Sequence, residues 1–190
     1  MTRAISSVMR ATVAAGVLSF GGFIATAYAQ DPVTVGGAPM YADKNIVENA
    51  VNSKDHTTLV TAVKAADLVE TLQGDGPFTV FAPTNDAFAK LPDGTVETLV
   101  KPESKETLTK VLTAHVVSGK MSASDIMDGI KKGDGKLNMT TVSGDAITAM
   151  MKGDNVVIMD ESGGESTVTI ADVNQSNGVI HVVDSVLLPK

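Results

Sequence analysis

Residues 178–188, GVIHVVDSVLL, constrain the fold more than any other stretch of this chain. In an extended strand successive side chains alternate between faces. Val179, His181 and Val183 then share one face, and Ile180, Val182 and Asp184 the other. Both faces are largely apolar, the pattern of a strand buried at the centre of a sheet. Asn177-Gly178 just before it is a turn signal. A buried His181 and Asp184 need hydrogen-bond partners. Thr84, Asn85 and backbone groups of the 78–92 stretch are the expected ones.

A central strand needs cover on both sides, and the rest of the chain is written in two halves. In 43–53, Ile46, Val47, Ala50 and Val51 repeat with helical spacing, followed by Leu59, Val60 and Val63, then Leu68, Val69 and Leu72. GDGP at 74–77 turns the chain into a short β-prone run, Phe78 to Ala82. Thr84 stands where it caps a short helix through Phe88. Leu99, then Leu108, Val111 and Leu112, give helical segments on either side of Pro102. Ser122-Ala123-Ser124-Asp125 is the S-x-x-D start of another. Beyond it, short runs around Val142, Ile147, Val156–Ile158, Val168 and Ile170 are broken by Gly and Asp, as strands and turns are. Helices first and strands later give an α+β fold.

The first 29 residues have the form of a cleaved secretory signal. Arg3 and Arg10 precede an apolar run over 11–26, and Ala27-Tyr28-Ala29 offers a small-x-small cut before Gln30. That run is short against the ~20 residues that span a bilayer, so cleavage is favoured over a retained anchor. Residues 30–42, QDPVTVGGAPMYA, have no clear period and are expected to be a flexible lead-in, leaving 43–190 as one domain. No transmembrane segment is expected after cleavage, and the absence of cysteine excludes a lipid-modified N-terminus and thiol chemistry.

Loss of Arg3 and Arg10 with the leader takes 15 basic residues to 13 against 22 acidic, a net charge of −9. Affinity for nucleic acid depends on clustered Lys and Arg, so no nucleic-acid partner is expected. The five Phe include only three beyond the leader, Phe78, Phe81 and Phe88, and one Tyr remains, Tyr41. Stacking platforms for sugars or bases therefore have almost no aromatic surface to draw on. No nucleophile elbow, zinc helix, phosphate loop or dinucleotide fingerprint is present. His181 and Asp184 lie on opposite strand faces and form no local dyad. The Asp-Gly turns lack calcium-loop spacing, and the methionines at 121, 127, 139, 150, 151 and 159 form no copper-type cluster with His115. No catalytic, cofactor or metal residue is assigned, and the chain is not expected to be an enzyme.

Three stretches together resemble one family. FTVFAPTNDAFAKLP at 78–92 and SNGVIHVVDSVLLP at 176–189 resemble the two signature motifs of fasciclin-like domains, and HVVSGK at 115–120 resembles the segment between them. The resemblance spans roughly 41–190. It implies a wedge-shaped domain with a β-sandwich-like strand core and helices along one side. It also implies an exported, non-enzymatic adhesion or interaction module of the cell envelope or extracellular matrix, with a protein or polysaccharide partner. Some relatives bind apolar pigments such as carotenoids, so the alternative is a carrier of an apolar ligand such as a carotenoid or lipid.

In animal adhesion members an Asp-Ile pair after the middle motif is implicated in integrin contact, and Asp125-Ile126 occupies the matching place. Their Tyr-His pair is here Ala114-His115, which retains only the His. Asp125, Ile126 and His115 are thus the candidate adhesion contacts; the reading favoured for the pair is structural, with Asp125 capping a helix start near its positive end and Ile126 packing inward. Phe78, Phe81, Thr84, Asn85, Phe88, Asn177, Gly178, His181 and Asp184 are the expected structural motif residues.

Overall fold

The computed structural model describes residues 32–189; the expected signal over 1–29 lies outside them. The lead-in reading of 30–42 gives way to a small antiparallel hairpin, β1 (Val33–Val35) and β2 (Ala38–Met40), turning at Gly36-Gly37. Val35 and Met40 are buried at its two ends and pack with the first helices. Three-residue strands are too short to show a period, which is why the pattern is silent here.

Three short helices follow: α1 (Ile46–Ala50), α2 (Thr57–Ala65) and α3 (Val69–Gln73). Asn45 and Glu48 form a reciprocal capping box on α1. β3 (Phe78–Pro83) leads into α4 (Asn85–Ala89), where Thr84 Oγ1 accepts from the Ala87 amide. Then come α5 (Thr95–Leu99), α6 (Lys105–Thr113), β4 (Val116–Ser118) and α7 (Ala123–Lys132). The chain finishes in β5 (Lys136–Thr140), β6 (Ala146–Lys152), β7 (Asn155–Met159), β8 (Glu165–Gln175) and β9 (Gly178–Val183).

Seven strands form one mixed sheet in the order β4-β3-β9-β8-β7-β6-β5. Only β3 and β9 run parallel; the other neighbours are antiparallel. The outer strands approach one another through a bridge between Val117 and Thr141, and the Val142 amide donates to Val116 O at 2.8 Å. The sheet is therefore nearly closed. Closure leaves little unpaired edge for other chains to extend.

Alternation along β3 and β9 divides the interior in two. Val80, Ala82, Ile180 and Val182 face the helices and hairpin, with Ile46, Leu59, Val63, Leu72, Phe88 and Leu108. Phe81 and Val183 face the opposite side, with Ile126, Ile130, Ile147, Ile158 and Leu187. β9 is central and every one of its residues is buried.

Three local expectations shift. The β8–β9 turn is formed by Ser176-Asn177, one residue earlier than Asn177-Gly178, and Gly178 opens the strand. A Cβ on Gly178 would stand 2.2 Å from Phe78 O, so the parallel pair needs glycine there for close approach. β9 also ends at Val183, before Asp184. Val142 lies in a turn and is exposed, because the chain bends there to close the sheet.

Candidate interaction site at the start of α7

The loop entering α7 is held from three sides. Thr79 Oγ1, on buried β3, donates to Gly119 O at 2.6 Å and accepts from the Met121 amide at 2.9 Å. His181 Nε2 is 2.9 Å from Met121 O, while its Nδ1 accepts from the Asp172 amide at 3.3 Å. Those partners define a neutral ring with the proton on Nε2. Burial pushes the His181 pKa down, against the pull of the Met121 carbonyl and Asp172, which suits that form. Asp172 then accepts from the Ala123 amide at 2.7 Å, in the first turn of α7. Its backbone is left-handed, φ +57°, at an irregularity in β8.

On this clamp sits a capping box. Ser122 Oγ accepts from the Asp125 amide, and Asp125 Oδ2 accepts from the Ser122 amide at 2.9 Å and its hydroxyl at 2.6 Å. Those bonds hold the Asp125 carboxyl below its usual pKa, the Ser122 hydroxyl contributing most. Asp125 and Ser124 are exposed, whereas Ile126 is 1% exposed and packs among Phe81, Ile130 and Leu187. The next residue on the helix is thus the anchor, and Asp125 is the group it displays.

Of the three candidate adhesion contacts, only Asp125 reaches the surface. His115 is 2% exposed. Its Nδ1 donates to Val111 O at 2.7 Å and its Nε2 accepts from the Leu187 amide at 2.9 Å. Burial lowers its pKa to about 4. It ties α6 to the C-terminal segment, which Asp160 holds too, accepting from the Leu188 amide at 2.9 Å. A buried imidazole and a buried Ile side chain cannot meet a docked partner, so the candidate contact role of His115 and Ile126 does not carry over.

The motif residues fall into distinct positions. Asn85 Oδ1 accepts from the Thr58 amide and Thr57 hydroxyl, and its Nδ2 donates to Lys54 O, tying α4 to the start of α2. Asn177 Oδ1 accepts from the Ile46 amide, and its Nδ2 donates to Leu72 O and Gly74 O, joining α1 and α3 to the sheet. Phe81 is fully buried and stacks on His181 with ring centroids 5.7 Å apart. Phe88 is buried with the helices, and Phe78 packs partly exposed against them. The expected pairing of His181 and Asp184 with Thr84 or Asn85 side chains gives way to other partners. Asp184 accepts from the Thr167 amide at 2.8 Å and from Lys90. Burial acts to raise its pKa, but these bonds outweigh it and the net shift is down.

Thr79 and Asp172 are absent from the sequence reading. Thr79 lies inside a motif as an ordinary β-former. The cue for Asp172 is an Asp interrupting β-branched residues in TIADV.

Between α1–α3 and the sheet lies a cavity of about 70 Å³, lined by Ile46, Leu59, Val63, Leu72, Val80 and Ile180 among others. Among the described residues no cluster of His, Asp and Glu could hold a metal ion, and no helix is long and apolar enough to cross a membrane.

A family model described as Fasciclin domain matches residues 54–189. Protein sll1483 of Synechocystis is 51% identical over 144 residues, 76% of this chain and 73% of that protein. Immunogenic protein MPB70 of Mycobacterium bovis is 33% identical over 165 residues, 84% of this chain and 70% of that protein. The structure of a FAS1 domain pair from the insect cell adhesion molecule fasciclin I superposes with a TM-score of 0.68 at 18% identity. It covers 76% of this chain and 51% of that one.

Proposed function

Because the chain belongs to the fasciclin domain family, we propose that it is an exported, non-enzymatic interaction module acting at the cell envelope or in the surrounding matrix. A structural neighbour is a domain pair from an insect cell adhesion molecule, and the partner class we propose for this chain is a surface protein or polysaccharide. The observation that carries this reading is the α7 corner. Asp125 is displayed on a backbone clamped by Thr79, His181 and Asp172 and anchored through Ile126. A rigid display site loses little conformational freedom on binding.

His115 and His181 each spend both ring nitrogens on internal bonds. The protein's acidity favours a neutral or cationic face on the partner. Asp125→Asn tests the site cleanly, since the amide oxygen still accepts from Ser122 while the charge is lost. Immobilised protein should capture its partner from the native envelope fraction, and the variant should capture several-fold less at a temperature where both proteins are fully folded. Equal capture by both would move the contact away from α7.

Carriage of a long polyene finds no support in the interior volume. A cavity of about 70 Å³ accommodates a guest of a few heavy atoms, and a longer one requires the helices to part from the sheet.

A further inference from the structure

Asp172 stands at the junction between the His181 ring and the first turn of α7. Its amide donates to His181 Nδ1 at 3.3 Å, and its Oδ1 accepts from the Ala123 amide at 2.7 Å. It does both from a left-handed backbone, where the β8 register slips. β3 and β9 bring no titratable group except His181 itself. From the α7 side come Lys120 and Asp125, both exposed. From β8 comes Asp172, whose charge acts on the ring.

We propose that this junction is an acid-sensitive latch on the α7 corner: protonation of His181 draws the Asp172 carboxylate away from the Ala123 amide and onto Nδ1. Its consequence, weaker partner binding in acid, rests on the interaction reading of Asp125. In the neutral ring Nδ1 accepts from the Asp172 amide. Protonation turns it into a second donor, so two N–H groups face one another. The carboxylate of the same residue resolves that conflict with a bond in which both partners are ionised. Nε2–H still donates to Met121 O, and the Thr79 hydroxyl does not titrate, so Gly119 and Met121 stay held. The first turn of α7 loses its bond to β8, and Asp125 loses the backing that fixes its direction. Burial lowers the His181 pKa. The latch is therefore closed at neutral pH and opens as pH falls through the ring's lowered value. Asp125 titrates separately, because Ser122 holds its carboxyl below the usual value.

NMR of the protein from about pH 7.5 down to about 4.5 follows the latch. The Ala123 amide should lose exchange protection with the midpoint of the His181 ring, while the Met121 amide, held by Thr79, and those of β6 and β7 keep theirs. Capture of a partner from the native envelope fraction should fall several-fold across the same midpoint. His181→Gln, which cannot take up the proton, should show neither change. An Ala123 amide that ignores the ring's titration would overturn the proposal, as would unfolding of the domain before the ring protonates. The parent profile decides both, even where the variant does not fold. The same Ala123 transition in folded His181→Gln would also overturn it, as would steady capture while Ala123 opens. Absence of capture at every pH would count against the interaction reading alone, and the Ala123 profile would still support the latch.

Discussion

His115 shows how one buried side chain sets the protein's response to acid. Its pKa is about 4 folded, against an ordinary value near 6.5, because burial penalises the imidazolium. The unfolded chain therefore takes up a proton first as pH falls. His115 contributes no pH dependence above about 6.5; stability falls between there and pH 4, then levels off. The full effect is about 3 kcal/mol. His56 and His181 are shifted in the same direction and add to it. Urea unfolding at successive pH values should show the decline. His115→Gln, whatever its baseline stability, should flatten part of the slope; an unchanged slope would exclude His115 as its source. His181 is the second residue-scale case. His181→Ala removes the Phe81 stack and leaves Met121 O and the Asp172 amide unpaired. The expected loss is roughly 3 kcal/mol, with faster amide exchange over 119–125. Normal protection of that loop would show that His181 does not clamp it.

At the scale of elements, Asn177 joins the helical layer to the sheet. One side chain meets the first amide of α1 and two carbonyls at the end of α3. Asn177→Ala leaves all three without that partner and should cost about 2–4 kcal/mol. Amide exchange should rise in α1 and α3 while β6 and β7 stay protected; uniform loss of protection would mean the layers do not open separately. The elements also show what local pattern conveys. The cap at Thr84, the box at Ser122 and Asp125, and the doubly apolar β9 are all written within a few residues. The hairpin at 33–40 is not, because its two strands are three residues each. β5 also escapes a periodic reading: KLNMT buries only Met139.

For the whole molecule the C-terminal segment is the decisive closure. Leu187 is buried beside Ile126 and Phe81, its amide bonds His115, and the Leu188 amide bonds Asp160. Removing residues 187–190 empties a core position and leaves a buried imidazole and carboxylate each short of a partner. The expected cost is at least about 3 kcal/mol, a large part of a domain's ~5–15 kcal/mol. A thermal midpoint within a degree or two of the parent would show that the segment only lies against the surface.

The sequence by itself determined the α+β character, the central strand, the helix caps and the family, since each depends on side-chain order over short spans. Its motif positions also marked Phe81, Asn177 and His181 as residues of structural weight. Only the tertiary structure decided the parallel pairing of β3 with β9, the bridging of β4 to β5, and which of Asp125, Ile126 and His115 faces solvent. Strand partners far apart in the chain are chosen by how two separate cores fill, and local periodicity carries no information about that choice. Exposure at α7 likewise depends on Thr79 and Asp172 gripping the loop from strands 40 to 50 residues away.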